Sequence, residues 1–159
     1  MNSLYYVTFA TTLGSGLLAG VFFTFSTFVM TSLGRLPAEQ SISAMQSINS
    51  TILQSLFMLI FMGTTILSVI LGIASFFKMG NSSAVYVLIG SLFIIVGVFL
   101  VTVIFNVPLN DSLAAANPGA ADGAQVWSDY VAGWVPWNHV RTISSIAALV
   151  SFMIAIRKW

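Results

Sequence analysis

The sequence predicts an all-α integral membrane protein, a bundle of four transmembrane helices with a polar, aromatic-rich pocket at one end. Three observations predict it. The chain is 58% hydrophobic and carries only five basic and four acidic side chains in 159 residues. A soluble domain has roughly 25% charged residues, and nine charges cannot build a water-exposed surface at this length. Four stretches reach the roughly 20 mostly apolar residues a spanning helix needs, none with a charge at its centre. The remaining polar side chains gather near one end of those stretches.

The first crossing runs from about Leu4 to Leu33, closed by Gly34. It starts without a basic n-region and ends without an Ala-x-Ala-like site, so it is expected to be a retained helix, not a cleaved signal. Pro37 suits the start of the next helix, and no Gly or Pro separates Ala38 from Met62. One helix over 38–77 is therefore expected, with its crossing from about Ile52. Lys78-Met-Gly-Asn-Ser-Ser83 is a turn leading to a third crossing over 84–107, which Pro108 ends or kinks. Residues 108–138 read as the one long connection, with a turn at Asn117-Pro118-Gly119. Beyond that turn Trp127, Tyr130, Val131 and Trp134 share a helical face, which predicts a short amphipathic interfacial helix. The fourth crossing spans 139–156. Gly16 and Gly20 have the small-xxx-small spacing of a close helix approach, although ordinary bundle packing is the expected reading.

Four crossings put both termini on one side with Lys78, Arg157 and Lys158. Arg35 and Arg141 lie on the other, with the acids. The positive-inside rule then assigns the termini to the cytoplasm, and 34–50 and 108–138 to the outer side. A net charge of +1 without a basic stripe excludes nucleic acid as a partner. The absence of cysteine excludes disulfides and thiolate metal sites. A single His makes bis-His haem ligation within one chain impossible. His–Met ligation or a metal site shared across a homo-oligomer stays open.

Polar residues at membrane depth call for an explanation. Gln46, Asn49 and Ser50 share a face of the second helix, by their i, i+3, i+4 spacing. Asn106 and Asn110 flank Pro108, and Trp134-Val-Pro-Trp-Asn-His-Val-Arg-Thr142 opens the fourth crossing. His139 is a candidate base because imidazole titrates near neutral pH. The alternative is an ordinary hydrogen-bonded histidine. Arg141 in a first helical turn is a candidate for holding an anion or oxyanion. Its alternatives are an ion pair with Asp111 or Asp129, or a reach to headgroups. His139 and Arg141 are two residues apart and point to different faces of a regular helix, whereas Asn138, Arg141 and Thr142 share one. Trp127, Trp134 and Trp137, with Tyr130, form either an interfacial belt or a stacking wall for a flat ligand. Phe22, Phe23, Phe25 and Phe28, with Ser26, are expected to line the bundle.

Four segments together resemble one family of small membrane proteins, the anthrone-oxygenase-like family. They are Gly20–Met30, Ala44-Met-Gln-Ser-Ile-Asn49, Phe105-Asn-Val-Pro-Leu-Asn-Asp111 and the Trp134–Thr142 stretch, in the family's order. The Asn-x-Pro-x-Asn and Trp-Asn-His-x-Arg stretches are the most specific. The resemblance implies a four-helix membrane protein. Some fungal members oxidise anthrones to anthraquinones with dioxygen, while most bacterial members have no established activity. If that chemistry applies, the substrate is expected to be a lipophilic, flat phenolic compound, and the polar cluster offers His139 as base, Arg141 with Asn49, Asn106 or Asn138 as oxyanion stabiliser, and Trp134 and Trp137 as the slot. Two other classes compete. One is a redox protein using haem, a metal or a quinone. The other is a non-enzymatic membrane protein that binds a small molecule.

Overall fold

The computed structural model describes residues 3–78 and 81–158. Residues 1, 2, 79, 80 and 159 lie outside the described part, so the middle of the expected Lys78–Ser83 turn and both chain ends are not placed. The described residues form five helices: α1 Ser3–Leu33, α2 Ala38–Leu53, α3 Leu56–Phe76, α4 Ser82–Ala115 and α5 Gly123–Arg157. All but α2 are long and apolar enough to cross a bilayer. The expected four-helix membrane bundle is the observed fold.

Helix length explains the architecture. At 1.5 Å per residue, α3 with its 21 residues spans about 32 Å, the thickness of a hydrocarbon core. The other three have 31, 34 and 35 residues, so each projects roughly 15–20 Å farther. They project at the end where α3 begins. There α2 takes the fourth place, packed against α5 and the end of α4. The molecule thus has two tiers, each with its own core. Leu18, Leu71, Ile94, Val98 and Phe152 centre the membrane tier. Met30, Ile42, Met45, Leu113, Trp127 and Tyr130 centre the cap.

Three boundaries differ from the sequence expectation. The helix expected over 38–77 is broken at Gln54 and Ser55. The Ser55 hydroxyl accepts from the Phe57 N–H at 3.2 Å, a side-chain cap that starts α3 without any Gly or Pro. The third helix runs through Pro108 to Ala115. The connection expected over 108–138 shrinks to 116–122, where Asn117 Oδ1 accepts from the Gly119 N–H and makes the anticipated turn. The separate interfacial helix does not exist: Trp127, Tyr130 and Trp134 belong to the first turns of α5, which continues through Pro136.

Two helices contain wide π turns, at Phe25–Val29 in α1 and at Phe93–Leu100 and Thr102–Asn106 in α4. A register change leaves carbonyls short of an N–H partner, which is expensive in lipid. Threonine hydroxyls donate to carbonyls at these places, Thr27 to Phe23 at 2.7 Å and Thr102 to Val98 at 2.7 Å.

Close helix approach occurs at glycines other than the small-xxx-small pair. Gly20 has open space beside it, and Gly16 has only ordinary contact with Leu149. A side chain at Gly14 would collide with Thr64, one at Gly90 with Phe152, and one at Gly97 with Ser144. Those contacts join α1 to α3 and α4 to α5.

Candidate functional site

Between the two tiers lies a cavity of about 240 Å³. Every helix contributes to it. Phe22 and Phe61 form its floor from the membrane core, Met45 and Trp134 its roof from the cap. The wide turns face it: Phe25 of α1 and Thr102 and Val103 of α4 all line it. Its walls are largely apolar, with a polar group gathered on α5.

That group is built on Asn138, Arg141 and Thr142, which one helical face brings together. Asn138 is fully buried. Its amide donates to the Phe22 carbonyl at 2.9 Å and to Ser26 Oγ at 2.8 Å, locking α5 to the wide turn of α1. Its Oδ1 accepts from Arg141 Nη2 at 2.8 Å. Arg141, only 6% exposed, reaches Thr102 Oγ1 at 3.4 Å with Nη1. The guanidinium carbon lies 4.5 Å from the centre of the Phe22 ring and 5.0 Å from that of Trp134. The electron-rich ring faces stabilise a cation that has lost its water. All of these neighbours are neutral. The ion pair with Asp111 or Asp129 is not among them, and a buried side chain does not reach headgroups.

Three donors on lining residues lack a protein partner, Asn49 Nδ2, Trp134 Nε1 and Arg141 Nε. A buried donor left unpaired costs about 1–3 kcal/mol, so three beside one cavity mark a place for an oxygen acceptor. Trp134 also begins an aromatic row, with Tyr130 stacked 6.2 Å from it and Trp127 5.8 Å from Tyr130. Tyr130 donates its hydroxyl to Asn110 Oδ1 at 2.9 Å, which holds that cavity-lining amide in place.

The sequence-predicted residues therefore separate. Asn49, Asn110, Trp134, Asn138 and Arg141 line the cavity. Gln46 is a strut: its amide donates to the Leu113 and Ala116 carbonyls at 2.8 and 3.0 Å, tying α2 to the end of α4. Asn106 is another, buried and donating to the Trp134 carbonyl at 3.2 Å. Trp127 lies at the far end of the aromatic row. Trp137 stacks on Phe105, ring centres 3.6 Å apart, away from the lining. His139 is the main correction. It is exposed, on the face of α5 that also carries exposed Ile143 and Ile146, and it does not line the cavity. The rotation of about 100° per residue that turns Asn138 inward turns His139 outward. Of the phenylalanines expected to line the bundle, Phe22 and Phe25 point inward and line the cavity, but Phe23 and Phe28 are exposed.

Sequence reasoning missed Thr102, Met45 and Phe61. Nothing in a threonine or methionine within an apolar run distinguishes a wall from a core. Among the described residues, no group of three or more His, Cys, Asp or Glu side chains is placed to hold a metal ion.

The fold and site define a multi-pass membrane protein with an internal, mostly apolar cavity arranged around one buried cation. Residues 57–151, which contain nearly all of α3, all of α4 and most of α5, match the family described as anthrone oxygenase. The match covers more than half of the chain, and the chain belongs to that family. No curated protein and no solved structure matches it.

Proposed function

We propose that the cavity binds a flat lipophilic phenolic ketone of the anthrone type, and that Arg141 stabilises its enolate for reaction with dioxygen. One observation carries this reading: a buried guanidinium, balanced only by neutral groups, beside a cavity and next to unpaired donors. Burying a cation costs several kcal/mol. A ligand whose oxygen becomes negative during the reaction offsets that cost most fully in the transition state, which is what catalysis requires.

The chemistry balances without another co-substrate. The CH₂ of an anthrone loses a proton, and its electron pair delocalises onto the ketone oxygen. The enolate reacts with dioxygen, forming one carbon–oxygen bond and, after protonation, a hydroperoxide. Loss of water then breaks the O–O bond and the remaining C–H bond, leaving the second carbonyl of an anthraquinone. One oxygen atom enters the product and the other leaves as water.

With His139 outside the cavity, no carboxylate or imidazole is among the lining residues. The role assigned to the protein is therefore electrostatic. Arg141 and Trp134 Nε1 favour the enolate, water or hydroxide takes the proton, and Phe22 and Trp134 hold the rings. The orientation that goes with this reading places Lys78, Arg157 and Lys158 on the cytoplasmic side.

The test is oxygen uptake by protein purified in lipid nanodiscs and given a hydroxylated anthrone. One dioxygen per anthraquinone is expected, faster than spontaneous oxidation, with the excess rate lost in Arg141→Met. Equal rates for that variant and the parent protein would overturn the reading. A quinone carrier using the same contacts would bind without net oxygen uptake.

A further inference from the structure

We propose that the cavity is loaded sideways from the bilayer, through a mouth between the α2–α3 elbow and α4, by a flat apolar compound that enters with its oxygen end leading. The route rests on the shape and chemistry of the cavity. The identity of the occupant rests on the reading given above.

The mouth is defined by exposure. Four lining residues are exposed: Leu53 (65%), Met62 (38%), Val103 (46%) and Val107 (39%). They come from α2, α3 and α4, and all are apolar. Leu56 and Leu59, 71% and 69% exposed, extend the same surface along α3. An opening to water would leave this apolar rim wet, which is unfavourable in proportion to the apolar area exposed; lipid removes that cost. The elbow creates the gap. Had α2 run on into α3 as one helix, the chain would pass straight across this level. The break at Gln54 and Ser55 instead ends α2 at Leu53, which lines the cavity together with Val103 of the wide turn Thr102–Asn106.

The other approaches are closed. Above, Gln46 fastens α2 to the end of α4, and Met45, Ile42 and the Trp134–Tyr130–Trp127 row fill the cap. Below, Phe22, Phe61 and Leu18 are packed in the membrane core. The polar wall lies inward from the mouth: Asn138 and Arg141 are buried, whereas the rim has no polar side chain. A compound arriving from lipid therefore meets apolar groups first and the cation last. An amphiphile that parks its oxygen end near the headgroups is suited to that gradient.

The experiment uses the absence of cysteine from the chain. Met45→Cys places one thiol in the lining at a position 1% exposed. The full-length variant in nanodiscs is treated with N-pyrenylmaleimide, which is flat and apolar, with a sulfonated maleimide, and with a linear dodecylmaleimide. Each labelling rate is normalised to that reagent's rate with glutathione. The pyrenyl reagent is expected to label fastest. Adding Leu53→Trp and Val103→Trp at the mouth should slow it at least about tenfold, the effect of roughly 1.4 kcal/mol on the entry barrier. Val103→Phe alone, an outward-facing change, keeps the test available if the double tryptophan variant does not fold, and should slow labelling less.

Sulfonated reagent labelling as readily as pyrenyl would mean an aqueous entrance and overturn the proposal. Unchanged rates in the mouth variants would do the same. Faster labelling by the dodecyl reagent would overturn the flat occupant in favour of an acyl chain. No readout here involves turnover, so slowed labelling together with absent oxygen uptake would retain the lateral route and reject the oxygenase reading.

Discussion

Replacing Arg141 by methionine should separate stability from activity. The variant loses a charge-assisted hydrogen bond to Asn138, 2.8 Å long, worth about 1.5–3 kcal/mol. It also loses the guanidinium's contacts with the Phe22 and Trp134 rings, about 1–2 kcal/mol together. The 3.4 Å contact with Thr102 adds little. Against this, the protein no longer buries a cation without a carboxylate, which recovers several kcal/mol. Methionine fills similar apolar space and adapts to its surroundings. The two sides nearly cancel, so the ligand-free melting temperature in nanodiscs should stay within a few degrees of the parent. Turnover should behave differently. Removing one preorganised donor to an oxyanion costs about 10²–10³ in kcat. The assays are thermal unfolding followed by intrinsic fluorescence, and oxygen uptake with an anthrone under identical conditions. Arg141→Lys should recover only part of the rate, because an ammonium has the charge but not the planar fork. If Arg141→Met lowered the melting temperature by more than 10 °C, the guanidinium would be a structural strut and the electrostatic argument would fail.

His139→Ala should leave both turnover and thermal stability essentially unchanged, and a hundredfold loss of rate would show that the imidazole reaches the cavity after all. Gly97→Ala drives a methyl group into Ser144 and should destabilise the fold by about 1–3 kcal/mol, measured as loss of melting temperature. Gly20→Ala meets open space in a helix and should be neutral or stabilising by up to about 1 kcal/mol; a large loss would show that the face of Gly20 is covered. Gln46→Leu leaves the Leu113 and Ala116 carbonyls without their shared donor, so hydrogen exchange in 113–122 should accelerate while that of α3 does not.

Much of this architecture was legible because lipid leaves a chain few options. Apolar runs of sufficient length and a near absence of charge dictate spanning helices, and the short turns leave few ways to connect them. The inward face of α5 was legible too, since the spacing of Asn138, Arg141 and Thr142 places them together on any helix. The same rule separated His139 from them. Grouping residues by membrane depth set that rotation aside, and the structure restores it. The α2–α3 elbow left no mark that composition could show, because its start signal is a lone serine between Gln54 and Leu56. The wide turns of α1 and α4 were equally hidden. Their register depends on packing against other helices, and the threonines that satisfy their carbonyls resemble any others in an apolar run. Pro108 reads as ending or kinking a helix, yet the helix runs on through it to Ala115, and Pro136 likewise sits inside a long helix.

The two cores rest on different physics. The membrane tier joins helices through close approach and dispersion, since lipid is as apolar as the side chains it would replace. The cap, built from Met30, Ile42, Leu113, Trp127 and Tyr130, draws its cohesion from water. Urea therefore loosens the upper half first. The roof residues Met45 and Trp134 belong to that half, so a chain with all four spanning helices intact would already have lost the ceiling of its binding chamber.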